Sequence, residues 1–181
     1  SSSAASDVYK RQVVMLATIA VKAQDIYVGG SLNVWRNSTG NTTSFKVAPE
    51  VGYNFNERWA LGAELAYGHE YANKVSVNSF DFAPYIRFSY YESGIVRLFL
   101  DGTASIGFDK VKDGDTSKRG QVGLRPGIAV KLNDHFSFIA KYGFLGYRRN
   151  MDYDEDYAPI KHSFGLNLTS EDLSIGFHYA F

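Results

Sequence analysis

Apolar and polar residues alternate through most of this chain, and a period of two predicts strands with one apolar face. Ile26, Val28, Leu32 and Val34 alternate with Tyr27, Ser31 and Asn33. From 45 to 55, Phe45, Val47, Pro49, Val51, Tyr53 and Phe55 are set against Lys46, Ala48, Glu50, Gly52 and Asn54. Trp59, Leu61, Ala63, Leu65 and Tyr67 oppose Ala60, Gly62, Glu64 and Ala66. Phe80, Phe82, Pro84, Ile86, Phe88 and Tyr90 oppose Asp81, Ala83, Tyr85, Arg87 and Ser89. A fifth run sets Val96, Leu98, Leu100, Ala104 and Ile106 against Arg97, Asp101, Thr103 and Ser105. The sixth sets Val122, Leu124, Ile128, Val130 and Leu132 against Gln121, Arg125 and Lys131. In the seventh, Phe136, Phe138, Ala140, Tyr142 and Phe144 oppose Ser137, Ile139, Lys141 and Gly143. The eighth ends with Leu173, Ile175, Phe177, Tyr179 and Phe181 against Ser174, Gly176, His178 and Ala180. Its earlier part, with Phe164, Leu166 and Leu168, has the opposite parity. A bulge or kink near Thr169–Asp172 accounts for the switch, because a one-residue slip inverts the faces of a strand. A separate hairpin within the last loop is the competing reading.

The connections alternate in length. Short turns are expected at 56–58, 92–94 and 133–135, and longer polar loops at 36–43, 69–79, 109–119 and 147–161. The stretches around the first and third turns share one grammar: apolar residue, Asn, acid, basic residue or His, aromatic. Short and long connections in alternation are the pattern of an up-and-down barrel across an outer membrane. The fold class is therefore all-β, an eight-stranded antiparallel up-and-down transmembrane β-barrel.

Alternation alone does not say which face looks outward; the charges decide it. Glu50, Glu64, Arg87, Asp101, Arg125 and Lys141 all fall about four to eight residues from the nearest short turn. They form one central belt. Facing lipid, the basic ones would cost ~2–4 kcal/mol each at mid-membrane; in a narrow lumen acids and bases neutralise one another. Aromatics gather where two membrane interfaces would lie, with Phe55, Trp59, Tyr90, Phe136, Tyr179 and Phe181 near the turns. Phe45, Tyr67, Phe80 and Phe144 lie towards the loops, and such rings suit that boundary.

Composition changes this picture little. The 19 basic and 19 acidic residues balance, so no basic excess points to nucleic acid. There is no cysteine, hence no disulfide framework or thiolate metal site. At the front, Val13–Val21 is an apolar run preceded by Lys10 and Arg11. It is too short to span a membrane as a helix. With small residues at Val21 and Ala23, residues 13–23 read as the apolar and cleavage regions of a signal peptide; a buried strand or short helix is the alternative. Residues 1–12 read as a non-native leader left by assembly of the sequence, and 24–181 as the barrel domain.

The end of the signal at Ala23-Gln24, the hairpins 49–68 and 124–143, and the terminal Gly176-Phe-His-Tyr-Ala-Phe181 resemble small bacterial outer-membrane barrels. The likeness is to the porin-like, OmpA/OmpX-type eight-stranded family, with Bacteroidetes-like features. The resemblance implies export, residence in outer-membrane lipid, and handling by periplasmic chaperones and the barrel-assembly machinery. It further implies that Phe177, Tyr179 and Phe181 are the C-terminal assembly signal. No cofactor, metal or nucleic acid is expected, and the barrel is expected to be monomeric.

The belt is the sharpest candidate for chemistry. With the first short turn centred near residue 57, Glu50 and Glu64 face each other across adjacent strands. Like charges so placed repel, so Arg87, Arg125 or Lys141 is expected to reach them across the barrel. The interior of eight strands is just wide enough to be filled by side chains, which makes the belt an electrostatic plug in a non-enzymatic protein with a structural or surface-interaction role. The alternative is a narrow porin-like channel for ions or small solutes, and a more distant one is a lipid-modifying barrel enzyme. Adjacent strand residues point to opposite faces, which weakens His162-Ser163 as a catalytic pair. The acids Asp152, Asp154, Glu155 and Asp156 lack the Gly and terminal Glu of a calcium loop. Four scattered histidines show no metal-like spacing. Pro49, Pro84 and Pro126 recur at matching heights, each an expected bulge because proline cannot donate to a ladder. The Asn-x-Ser/Thr strings at Asn37, Asn41 and Asn167 carry no consequence in a bacterial setting.

Overall fold

The computed structural model describes residues 25–37, 42–72, 75–111, 116–150, 162–168 and 173–181. The leader, the signal segment at 13–23, the acidic stretch 152–156 and the expected kink at 169–172 lie outside the described residues.

The strands are β1 (Ile26–Asn37), β2 (Thr42–Asn54), β3 (Trp59–Ala72), β4 (Val75–Ser93) and β5 (Val96–Val111). Next come β6 (Thr116–Lys131), β7 (Phe136–Lys141), β8 (Phe144–Asn150), β9 (His162–Asn167) and β10 (Ser174–Ala180). β1 to β7 pair in sequence order, all antiparallel. β10 then pairs β7 on one side and β1 on the other, which closes a ring of eight strands. β8 and β9 extend the wall on the loop side: β8 pairs the first half of β6, and β9 pairs β8. No helix among the described residues is long and apolar enough to cross a membrane; the crossing elements are strands.

The burial pattern inverts that of a soluble domain. Leu61, Ile86, Val122 and Phe177 are each more than two-fifths exposed, whereas Asp101 and Lys141 are 2% and 3% exposed. Apolar side chains coat the outside and charges fill the inside, as a barrel in lipid requires.

Two of the short turns are built alike. Asn56 Oδ1 accepts from the backbone N–H groups of Arg58 and Trp59 at 2.9 and 3.0 Å. Asn133 Oδ1 accepts from those of His135 and Phe136 at 2.9 and 2.8 Å. The shared grammar thus encodes one device, a side-chain amide satisfying the two donors that a tight reversal leaves open. The β4–β5 reversal instead uses Gly94 at φ 58°.

Several expected boundaries shift. Strands run well into all four stretches expected to be loops, since β1 reaches Asn37, β3 Ala72, β5 Val111 and β8 Asn150. Pairing of backbone groups does not need an apolar face, so a ladder continues where the alternation fades. The seventh strand does not end at Phe144. Lys141 pairs Gly127 while Leu145 pairs Leu124, so four residues on this strand match three on β6. The extra residue is a bulge at Gly143, whose φ of 78° suits glycine. It reverses the parity of the residues beyond it, and Phe144 turns into the lumen at 2% exposure rather than joining the outer girdle. On the last strand, Asn167 pairs Phe144 and Ser174 pairs Lys141. The register of β10 against this strand is therefore offset by four residues from that of β9. The prolines mark no bulge: register is the same on both sides of Pro49, Pro84 and Pro126. All three point outward, and the register shift of β4 lies at Ser89/Tyr91 instead.

Candidate functional site: the barrel lumen

Inward positions of seven strands converge at mid-barrel. Glu50 on β2 and Glu64 on β3 are register partners, so two carboxylates sit side by side where like charges destabilise a sheet. Lys141 crosses from β7 to meet them. Its Nζ donates to Glu50 Oε2 at 2.7 Å and to Glu64 Oε2 at 3.2 Å, and lies 3.8 Å from Asp101 Oδ2. Arg87 on β4 grips Asp101 on β5 with two parallel bonds, Nε to Oδ1 at 2.7 Å and Nη2 to Oδ2 at 2.8 Å. That two-pronged geometry gives the stronger class of ion pair. His178 on β10 completes the ring, its Nε2 against Glu50 Oε1. Five of the six belt residues read from the sequence are thereby joined. Arg125 is not: it is partly buried, forms no ion pair with the described residues, and its Nε is buried without a hydrogen-bond partner.

Aromatic rings frame this network because glycine leaves them room. Tyr27 pairs Gly52, Gly52 pairs Gly62, and Gly62 pairs Tyr85, one row across β1 to β4. The tyrosines at its two ends lie down over the glycines and meet hydroxyl to hydroxyl at 2.6 Å. A methyl group at Gly52 would overlap the Tyr27 ring, and one at Gly62 the Tyr85 ring. The Arg87 guanidinium stands 4.0 Å from the Phe99 ring centroid and 5.0 Å from that of Tyr85. Lys141 Nζ is 5.2 Å from the Tyr85 centroid. Cations over ring faces gain further stabilisation of about 0.5–2 kcal/mol each.

A second cluster lies nearer the loops. Arg119 on β6 donates from Nη2 to both Asp81 oxygens, at 2.8 and 2.9 Å, and its Nη1 meets Asp109. Lys46 stands 3.6 Å from Asp81. Asp81 and His178 carried a signal in the sequence, since both fall on the polar parity of their strands. Arg119 was hidden in a stretch expected to be a loop. Tyr27 and Tyr85 were hidden because tyrosine suits either face.

Among the described residues the lumen holds small, separate cavities. A cavity of about 110 Å³ lies on the turn side, among Tyr27, Trp59, Arg87, Phe99, His135 and His178. On the loop side are one of about 50 Å³ beside Lys46, Glu64 and Arg125, and one of about 10 Å³ between Glu64, Asp101 and Arg125. Polar cavities of these sizes accommodate one to a few waters.

The remaining candidates stay outside this site. His162 and Ser163 are neighbours on opposite faces of β9, both exposed. Among the described residues no three His, Asp or Glu side chains cluster as metal ligands. Phe177 and Phe181 are exposed on the outer wall. Tyr179 packs edge-on against Phe136 and Phe181, at 5.0 and 5.1 Å between centroids.

Comparison with known proteins agrees with this architecture. No curated protein matches the chain. Among solved structures, Neisserial surface protein A is 15% identical over 86% of this chain and 96% of its own, with a TM-score of 0.55. The translocator domain of the autotransporter NalP from Neisseria meningitidis is 11% identical over 99% and 97%, with a TM-score of 0.39. A family model described as outer membrane protein beta-barrel domain matches residues 13–181. With its apolar exterior, its closed ring of eight strands and that match over most of its length, the chain belongs to the outer-membrane β-barrel domain family.

Proposed function

We propose that this outer-membrane barrel is a non-enzymatic protein with a structural or surface-interaction role, and that its lumen is closed by the charge network. One observation carries the reading: Lys141 holds Glu50 and Glu64 from the opposite wall while Arg87 holds Asp101 beside them. Interaction with the surroundings then belongs to the outer wall and the loops. On the same reading residues 13–23 direct export and are removed. N-terminal sequencing of the membrane-inserted protein tests that point, with a start at or near Gln24 expected.

A narrow channel is the second reading, and the water-sized cavities on both sides of the belt favour it. Parting the belt would join them. Reconstitution into planar bilayers separates the two. The plugged barrel shows no stable unitary conductance, and Lys141→Ala introduces short openings. Steady conductance of the unmodified protein would replace the plug by the channel.

A further inference from the structure

Asp101 has an arginine on either side of it in one row of the sheet. Its register partner on β4 is Arg87, and its register partner on β6 is Arg125. All three project into the lumen, and antiparallel partners bring their Cβ atoms within about 5 Å of each other. By backbone position, then, the two arginines are equal candidates for the carboxylate. Arg87 holds it, Nε and Nη2 meeting Oδ1 and Oδ2 at 2.7 and 2.8 Å. Arg125 is left with no ion pair among the described residues, and its Nε is buried without a hydrogen-bond partner.

Aromatic rings on the β4 side account for the choice. The Arg87 guanidinium stands over Phe99, Tyr85 and Tyr27, at 4.0, 5.0 and 5.8 Å from their centroids, and cations gain from ring faces. Arg125 has space instead: a cavity of about 10 Å³ that it shares with Glu64, Tyr85, Asp101 and Thr103. A gap of that size holds no more than about one water, so rotation about side-chain torsions closes it without moving a strand. The two arginines also face different compartments. Arg87 borders the turn-side cavity, which Asp101 does not line. Asp101 and Arg125 border the small loop-side cavity, which Arg87 does not line. Two further charges face the same place. Lys141 Nζ lies 3.8 Å from Asp101 Oδ2, and Glu64, beside the small cavity, is the rival acceptor for Arg125.

We propose that Asp101 has two seats, held by Arg87 in the arrangement described and passing to Arg125 whenever Arg87 is drawn away. In the second seat the buried N–H of Arg125 gains a charged acceptor, which removes the cost of leaving it unpaired. The Arg87 guanidinium is then released towards the turn-side cavity that it already lines. The row Arg87–Asp101–Arg125 thereby links the turn-side compartment of the lumen to the loop-side one, since a change at either arginine alters the hold on the carboxylate between them.

The test is a double-mutant comparison by equilibrium urea unfolding of the full chain, refolded in a non-ionic detergent. Heat-modifiable gel migration identifies the folded variants. Arg125→Met is made in the unmodified protein and again in Arg87→Met. Its effect on the unfolding constant is expected to be larger in Arg87→Met by roughly fivefold or more, because Asp101 there rests on Arg125. In Arg87→Met/Asp101→Asn that excess is expected to vanish, since no charge is left to pass across. Should Arg87→Met not fold, Arg87→Gln, neutral but polar, takes its place with the same expectation. A smaller excess overturns the proposal. So does an excess that persists with Asp101→Asn, which would give Arg125 to Glu64 instead. The comparison reads stability alone, so steady conductance of the unmodified protein, which would replace the plug by a channel, leaves the two-seat exchange standing.

Discussion

Replacing Lys141 by methionine removes the charge while keeping most of the side chain's length. In the folded barrel that leaves Glu50 and Glu64 adjacent, nearly buried, and deprived of the ammonium 2.7 and 3.2 Å away. Removing one partner of a buried ion pair costs about 3–5 kcal/mol, chiefly because the other charge is stranded. Here two carboxylates are stranded in register. We expect Lys141→Met to destabilise by about 3–5 kcal/mol. Lys46→Met is the reference: its ion pair with Asp81 is longer, 3.6 Å, and its side chain is 43% exposed, so the expected cost is about 0–1 kcal/mol. The assay is equilibrium urea unfolding of the refolded barrel, followed by tryptophan fluorescence. The triple variant Glu50→Gln/Glu64→Gln/Lys141→Met discriminates further. It removes the stranded charges with the cation, and we expect it to recover most of the loss. Equal midpoint shifts for the two single variants, or no recovery in the triple one, would refute the reasoning.

Other expectations rest on particular contacts. Arg125→Met, which breaks no ion pair among the described residues, should cost less than Lys141→Met in the same titration; the order reverses if Arg125 anchors the belt. Asn133→Ala removes the acceptor of two backbone donors and should cost about 1 kcal/mol, whereas Asn133→Asp retains the acceptor and should cost less. Gly143→Val places a β-branched residue at φ 78° against Leu168 and Asn167. We expect a loss on the order of 1–3 kcal/mol, together with greater exposure of Phe144, read by quenching of a Phe144→Trp reporter with and without the change. Gly62→Ala forces the Tyr85 ring off the wall and should increase conductance noise in bilayers; an unaltered silent trace would show that the tyrosine bridge is dispensable.

Much of the fold is legible in the sequence because the environment imposes a rule on every second residue. Lipid on one side and a crowded lumen on the other leave a charged residue only one parity, so the belt positions stand out without any structure. The pairing of Glu50 with Glu64 is equally legible, since a turn centred near 57 fixes the register. What the alternation does not encode is any insertion that changes parity inside a strand. Gly143 looks like one more small residue on the inward face, yet its positive φ inserts a step and sends Phe144 inward. Partner choice within the belt is also hidden. Arg125 and Lys141 read alike along their strands, but only closure of the barrel, which sets β7 across from β2 and β3, brings Lys141 to the glutamates. The Tyr27–Tyr85 bridge depends on two glycines lying between two tyrosines on four different strands, a relation that no local pattern displays.

The closing pair of strands has a mechanical consequence. β1 meets β10 over Tyr27–Leu32 only, while β4 and β5 are paired from Ser93/Val96 to Val77/Val111. Under load across the wall, resistance scales with the number of backbone bonds that must break together, and the pairings of β10 with β7 and of β7 with β6 are as short, at six and five residue pairs. Pulled at its tip by a force probe, β10, held by six register pairs to β1 and six to β7, should leave first, and the remaining strands should follow one hairpin at a time. The long β3–β4, β4–β5 and β5–β6 pairs would part last.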